Sequence, residues 1–254
     1  MSMREWRSYP CQIDGHRASI FYDHGIRETI DQIAPPQLLR VGLTFKTPRP
    51  DGLSSADEFQ SLVALEEGLE ALVDTHDGIY VGCVTMDGHR YFHVFTSDTA
   101  DSWAPRLAGL GGEHNYRLFF NLRPDERRDG YWKDLFPSDD DMQIMTDLEL
   151  LEVLRKEGDN GTASRQIDHW AYFSSSAAAQ QFSHWVQARG YGLDQVDTTD
   201  DEKFCVRFFH VGTCEFADIS SHSLALRRSA RELGGEYDGW ETLVCRATPS
   251  EVKP

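Results

Sequence analysis

The sequence is poor in basic residues. Over 254 residues it has 25 Lys and Arg against 42 Asp and Glu, which gives a formal net charge of −17 at pH 7. A surface with this charge repels phosphate backbones and anionic lipid headgroups, so the composition argues against direct binding to nucleic acid or to a membrane. The same charge attracts basic proteins and speeds their association. We therefore expect a protein partner with a basic surface.

Cysteine is scarce as well, and no two cysteines form a Cys-x-x-Cys pair. The total of five is odd, which argues against a disulfide framework and against a zinc site. No signal-peptide core follows the first residues, and no apolar run has the length needed to span a bilayer. These features predict a soluble, cytoplasmic protein.

Signatures of catalysis are missing too. The sequence contains no Gly-x-Ser-x-Gly elbow, no His-Glu-x-x-His pair and no phosphate-binding glycine loop. Its ten histidines are dispersed, and successive aspartates on a helix diverge instead of converging on one ion. We predict no catalytic residue, no metal site and no cofactor. An enzyme using His169, or Cys214 at the start of a helix, is the less favoured alternative.

Hydrophobic residues make up 40% of the chain and follow regular patterns. The first segment reads as a β-hairpin around the turn Asp14-Gly15. Residues 38–122 then show the order strand, helix, strand, strand, helix, strand. The first helix, Ala56–Val73, has apolar residues at helical spacing and a capping box of Ser55 with Glu58. The second, Ala100–Leu107, is expected to end at a glycine-rich break.

A charged connection at 123–138 separates this pattern from a second one. A helix is expected from Ser138 to about Glu157, with aspartates in its first turn. The apolar face expected for this helix consists of Met142, Met145, Leu148, Leu151 and Leu154. The strand and helix order of the first half then returns between residues 167 and 245. The sequence therefore predicts an α+β protein of two ferredoxin-like βαββαβ two-layer sandwiches with antiparallel sheets and an N-terminal hairpin extension. The expected domains are 1–125 and 130–248.

The last predicted strand mixes aromatic and acidic residues in Glu236-Tyr237-Asp238-Gly239-Trp240-Glu241. Aromatic residues ringed by charge are typical anchors of protein interfaces, although burial in the core is the other interpretation. The predicted interface combines this segment with the acidic helix start. Its residues are Asp139, Asp140, Asp141, Tyr237, Asp238, Trp240 and Glu241.

Three stretches resemble the regulator of ribonuclease activity B family: Asp139-Asp140-Asp141-Met142-Gln143-Ile144-Met145, Ile167-Asp168-His169-Trp170-Ala171-Tyr172-Phe173 and Gly234-Gly235-Glu236-Tyr237-Asp238-Gly239-Trp240-Glu241-Thr242. The resemblance covers roughly residues 130–246. It implies an acidic ferredoxin-like protein without catalytic residues, which binds and inhibits the endoribonuclease ribonuclease E and thereby alters messenger RNA decay.

Residues 4–122 are similar to an uncharacterised bacterial domain that often precedes this module. The similarity rests on Trp6, on Leu65-Glu66-Glu67, and on Val81-Gly82 before Arg90-Tyr91-Phe92. It implies no activity. The favoured function is thus a non-catalytic regulatory protein that binds a protein partner. An immunity-type acidic protein that neutralises another basic partner is the alternative, and the oligomeric state is not predicted.

Overall fold

The computed structural model describes residues 4–199 and 203–246. The chain forms two compact units, one that ends at Asp141 and one that begins at Met142. Each unit contains one antiparallel sheet with helices packed on it, and the two sheets are separate. The predicted α+β architecture is confirmed. Within the described ranges, no helix combines the length and apolar character needed to cross a membrane.

The first unit is built on a six-stranded sheet. Its strands are β1 (Trp6–Ile13), β2 (His16–Asp23), β3 (Gln37–Thr44), β4 (Ile79–Met86), β5 (His89–Thr96) and β6 (Phe119–Pro124). Its helices are α1 (Ile30–Ile33), α2 (Ala56–Asp74), α3 (Ala100–His114) and α4 (Asp129–Trp132), with a 3-10 turn at His24–Glu28. A further helix, α5 (Asp139–Lys156), begins at the end of this unit.

The strand order in this sheet is β1-β2-β4-β5-β3-β6. The last four strands have the ferredoxin-like order, and the hairpin β1–β2 adds two strands beside β4. The two predicted hairpin turns are present. Asp14 and Gly15 have φ of 51° and 81°, and Asp87 and Gly88 have φ of 47° and 75°. Positive φ at both central residues is what a type I′ hairpin turn requires.

The core of the first unit lies between the sheet and helices α2 and α3. Leu62, Leu65 and Leu69 of α2 are fully buried, as is Trp103 of α3. They pack on strand residues of β3 and β5, including the fully buried Val41. Full burial of one such leucine stabilises the fold by about 2 kcal/mol relative to exposure.

Helix α3 is longer than the sequence predicts. It continues through its glycines to His114 and ends at Asn115, which adopts the left-handed conformation with φ of 58°. A Cβ at Gly111 would lie 2.5 Å from the carbonyl oxygen of Tyr116. Glycine here permits a close chain approach, and the predicted helix break is wrong.

The expected capping box of α2 is also wrong. Ser55 occupies the N-cap position without a side-chain cap hydrogen bond. The carboxylate of Glu58 instead accepts hydrogen bonds from the backbone N–H groups of Lys46 (2.9 Å) and Thr47 (3.2 Å) and from the Tyr116 hydroxyl (2.8 Å). Glu58 therefore links α2 to the segment after β3 and to Tyr116.

The second unit repeats the ferredoxin-like plan. Its strands are β7 (Arg165–Phe173), β8 (Gly192–Thr198), β9 (Phe204–Gly212) and β10 (Gly235–Thr242), and its helices after α5 are α6 (Ser176–Gln187) and α7 (Phe216–Glu232). The strand order β10-β7-β9-β8 is the ferredoxin-like order, with antiparallel neighbours throughout. Phe182 of α6 and Leu226 of α7 are fully buried against the sheet.

Helix α5 begins as predicted but buries a different face. Ser138 and Asp141 form a capping box, because each accepts a hydrogen bond from the backbone N–H of the other (3.2 and 3.0 Å). The buried residues of the helix are Gln143, Asp147 and Leu154. Met142, expected in the core, is 36% exposed. The apolar face predicted for this helix is therefore wrong at its first turns, where polar residues are buried.

Candidate protein-binding site

The second sheet has one covered face and one open face. In β7 the residues His169, Ala171 and Phe173 are buried, whereas Trp170 and Tyr172 between them are half-buried. Successive residues of a strand point to opposite faces of the sheet. The buried set points to α6 and α7, so the two large aromatic residues lie on the open face.

Strand β9 continues this division. Phe208 is fully buried under the helices, while its neighbours Arg207 and Phe209 point to the open face. The Arg207 guanidinium lies 5.6 Å from the ring centroid of Trp170, and its Nε lies 3.1 Å from a carboxylate oxygen of Asp194. The open face thus combines aromatic rings with paired charges.

Strand β10 contains a bulge that decides where its aromatic residues point. Tyr237 and Trp240 are three residues apart, so a regular strand would place them on opposite faces. The register shifts between Tyr237 and Gly239, whose φ is 143°. A bulge adds one residue to one strand. As a result both aromatic residues turn inward, at 4% and 7% exposure, while Asp238 and Glu241 stay exposed.

These features meet in a depression of about 310 Å³ at the β10 edge of the open face. We call it the acidic-aromatic pocket. Its lining residues are Thr146, Leu150, Trp170, Tyr172, Asp238, Gly239, Trp240 and Glu241. Carboxylates beside aromatic rings favour the side chains of Arg and Lys, since the ring face attracts the cation and the carboxylate pairs with it. The pocket therefore suits a basic side chain from a partner.

Tyr237 belongs to a buried cluster of histidines and tyrosines on the covered face. Its hydroxyl lies 2.8 Å from Nδ1 of His169, and Nε2 of His169 lies 2.8 Å from Nδ1 of His210. The His222 ring stacks on His210 with centroids 3.9 Å apart and is hydrogen-bonded to the Tyr191 hydroxyl. Burial lowers the pKa of His169 to about 2 and that of His210 to about 4. The cluster is therefore uncharged at neutral pH.

Trp240 ties β10 to α5. Its indole N–H donates to Asp147 (2.9 Å), which also accepts hydrogen bonds from the Gln143 amide (2.9 Å) and the Ser223 hydroxyl (2.5 Å). Burial raises the pKa of Asp147, and the three hydrogen bonds oppose that shift. Trp240 therefore forms the inner wall of the pocket and fixes its edge.

The structure distributes the predicted interface residues among different environments. Asp139, Asp140 and Asp141 fall in the first unit, and the segment 237–241 falls in the second. Within that segment, Asp238 and Glu241 are exposed and the two aromatic residues are buried. The interface assignment stays a prediction.

The pocket also contains Trp170 and Tyr172, which lie outside the predicted interface. The signal for them is the alternation of large and small residues in Trp170-Ala171-Tyr172, which places both aromatic residues on one face of a strand. Burial raises the pKa of Tyr172 and the neighbouring Cys205 adds to the shift, so the Tyr172 hydroxyl remains protonated at neutral pH.

The two residues considered for catalysis are both inaccessible. His169 is 1% exposed and Cys214 is 3% exposed. Burial raises the pKa of the Cys214 thiol, although Arg165 opposes the shift. Among residues 4–199 and 203–246, no group of three His, Cys, Asp or Glu side chains is arranged to hold a metal ion.

Comparison with known families separates the same two regions. A family model described as Regulator of ribonuclease activity B matches residues 145–242. A second model, described as Family of unknown function (DUF695), matches residues 4–136. Both resemblances found in the sequence, and their order along the chain, are confirmed. No curated protein matches the chain.

Proposed function

Since the chain belongs to the Family of unknown function (DUF695) and its second unit matches the regulators of ribonuclease activity B, we propose that it is a non-catalytic, acidic regulatory protein. It binds an endoribonuclease of the ribonuclease E type and thereby alters RNA decay. The observation that carries the proposal is the acidic-aromatic pocket, in which Trp170 and Tyr172 stand beside Asp238 and Glu241.

The composition of this pocket supports binding to a basic surface. Aromatic residues supply most of the binding energy in many interfaces, and a single anchor of this kind contributes about 2 kcal/mol or more. Surrounding carboxylates select a basic partner and, together with the net charge of −17, accelerate its association. The partner surface is therefore expected to contain Arg or Lys next to apolar side chains.

A cytoplasmic location is part of the proposal. All five cysteines are free, and Cys11, Cys205 and Cys245 are only half-buried. Free, accessible thiols persist in a reducing compartment, where disulfides are rare.

The proposal is tested by measuring the affinity of the purified full-length chain for ribonuclease E by calorimetry at low salt. We expect Trp170→Ala to weaken binding about thirtyfold, which corresponds to the loss of about 2 kcal/mol from one anchor. The pair Asp238→Asn and Glu241→Gln should slow association. The matched control is Glu149→Gln with Glu232→Gln, which removes the same charge from exposed helix positions and should leave the affinity within about twofold.

Absence of binding by the unaltered chain would contradict the ribonuclease partner. An assay of RNA cleavage then tests regulation, and we expect inhibition that the Trp170→Ala variant loses. The immunity-type alternative uses the same pocket, because a basic toxin offers the same side chains. Recovery of such a toxin from the native lysate, without a ribonuclease, would favour that alternative.

A further inference from the structure

The hairpin β1–β2 leaves a groove in the first unit. Because the hairpin widens the sheet beside β4, a groove of about 460 Å³ runs between α2 and the added strands. We call it the α2 groove. Its walls are formed by Phe21, Phe59, Val63, Glu66, Glu67 and Glu70. The volume lies within the range of ordinary binding pockets, roughly 300–1,000 Å³.

Helix α2 has a second stripe of residues that faces this groove. Its core stripe contains Leu62, Leu65 and Leu69. The groove stripe consists of Phe59, Val63, Glu66 and Glu70, at the spacing of one helix face. Phe59 is 50% exposed. The stripe is therefore apolar at its N-terminal end and acidic at its C-terminal end.

The floor of the groove is fixed by a buried polar network. Arg90 is 8% exposed and donates to Glu66 (3.1 Å) and to the Thr85 hydroxyl (3.1 Å). The hydroxyl of Tyr80 donates to the other carboxylate oxygen of Glu66 (2.6 Å). Because Glu66 neutralises Arg90, the floor presents no excess positive charge to a ligand.

Negative charge remains at the mouth of the groove. Glu67 is exposed there, and Glu70 is half-buried and paired with the exposed Arg4 at 3.4 Å. Burial raises the pKa of Glu70, and the neighbouring carboxylates of Glu66, Asp74 and Glu67 add to the shift while Arg4 opposes it. A cation brought to this end of the groove would relieve the repulsion among these carboxylates.

From the shape and charge of this surface we propose that the α2 groove docks a basic, amphipathic segment of a partner protein. An apolar side chain of that segment packs against Phe21, Phe59 and Val63. A Lys or Arg side chain, about one helical turn or two extended residues away, pairs with Glu67 and Glu70. The groove acts independently of the ribonuclease-binding role proposed for the second unit.

The probe for this docking is a pair of labelled synthetic peptides of about twelve residues, one alternating leucine and lysine and the other serine and lysine. Both carry the same charge, so only the first supplies apolar anchors. Fluorescence anisotropy with the full-length chain measures their affinities. We expect the leucine peptide to bind about tenfold more tightly than the serine peptide.

Two variants locate the binding. The affinity for the leucine peptide should fall about fivefold or more in Phe59→Ala, and likewise in the double variant Glu67→Gln with Glu70→Gln. The controls are Ile33→Ala, which removes an apolar side chain that is 54% exposed, and Glu113→Gln with Glu126→Gln, which removes the same charge from exposed positions of the same unit. All these positions are at least partly exposed, so the variants are expected to fold.

Equal affinity for the two peptides would overturn the proposal, because the attraction would then be that of the overall charge. The proposal would also be overturned if the groove variants and the control variants lowered the affinity for the leucine peptide equally. Neither result bears on ribonuclease binding, which is measured with the variants of Trp170, Asp238 and Glu241.

Discussion

Trp240 and Asp147 lie 93 positions apart in the chain and are joined by a hydrogen bond of 2.9 Å from the indole Nε1 to the carboxylate Oδ1. Asp147 is fully buried and Trp240 is 7% exposed. The bond links the last strand of the second unit to helix α5. It also accounts for a carboxylate on a helix face where the sequence pattern predicts apolar residues.

The first prediction concerns this carboxylate. Asp147→Ala should lower the free energy of unfolding by about 2–4 kcal/mol, because the Gln143, Ser223 and Trp240 donors lose their acceptor in a buried site. Urea denaturation measures the change. The matched control is Glu149→Ala on the exposed side of the same helix, with an expected change of less than about 0.5 kcal/mol.

A double-mutant cycle with Trp240→Phe isolates the bond itself. We expect a coupling of about 1–2 kcal/mol between positions 147 and 240. Additive effects of the two substitutions would show that the bond contributes nothing measurable.

The second prediction concerns acid stability. Burial lowers the pKa of His169 to about 2 and of His210 to about 4, and it lowers the pKa of His222 as well. In the unfolded chain these groups titrate near pH 6.5, so unfolding takes up protons below that pH. The stabilisation is complete above about pH 6.5 and is lost as the pH falls toward the folded pKa values. Each proton contributes a slope of about 1.4 kcal/mol per pH unit.

Urea midpoints measured between about pH 7 and pH 5 give this slope. His169→Gln should flatten it by the contribution of one proton, whatever its effect on stability at neutral pH. His184→Gln is the control. His184 is exposed, so this substitution should leave the slope unchanged. A slope that is the same in the unaltered chain and the His169 variant would refute the assignment.

The third prediction compares two glycines. Gly239 has φ of 143° at the β10 bulge, a conformation that other residues rarely adopt. Gly239→Ala should therefore destabilise the fold by about 1–3 kcal/mol, although its Cβ would meet no atom within 4 Å. Gly109→Ala, in the exposed part of helix α3 with equally open space, should stabilise it by about 0.5–1 kcal/mol. Thermal unfolding of both variants checks that the two substitutions change the stability in opposite directions.

Local signals were sufficient for much of the fold. Asp14-Gly15 and Asp87-Gly88 fix two hairpins, and the order of the strands and long helices follows from the sequence alone. The apolar spacing of α2 predicts the helix but not its core face, because Phe59 and Val63 line the groove. The sequence predicts a helix α3 that is too short. Gly111 does not end the helix; it allows the close approach of Tyr116, which lies outside the helix. Helix propensity depends on the local sequence and therefore does not predict such a tertiary contact.

The candidate site depended on contacts that are remote in sequence. Asp147 is buried because Ser223 and Trp240 donate to it from 76 and 93 positions away. Tyr237 and Trp240 both point inward only because β10 has a bulge at Asp238. No local sequence pattern predicts this shift in register. By contrast, the outward position of Trp170 and Tyr172 follows from simple alternation in β7.

In helix α2 the residues that hold the helix on the sheet and the residues that line the groove lie on different faces. Leu62, Leu65 and Leu69 hold α2 on the sheet, while Phe59 and Glu67 lie on other faces of the same helix. A chain can therefore exchange the residues at the groove, and with them the preferred partner, while its core stays intact. Substitutions at Phe59 and Glu67 are accordingly expected to change what the proposed groove binds without unfolding the unit.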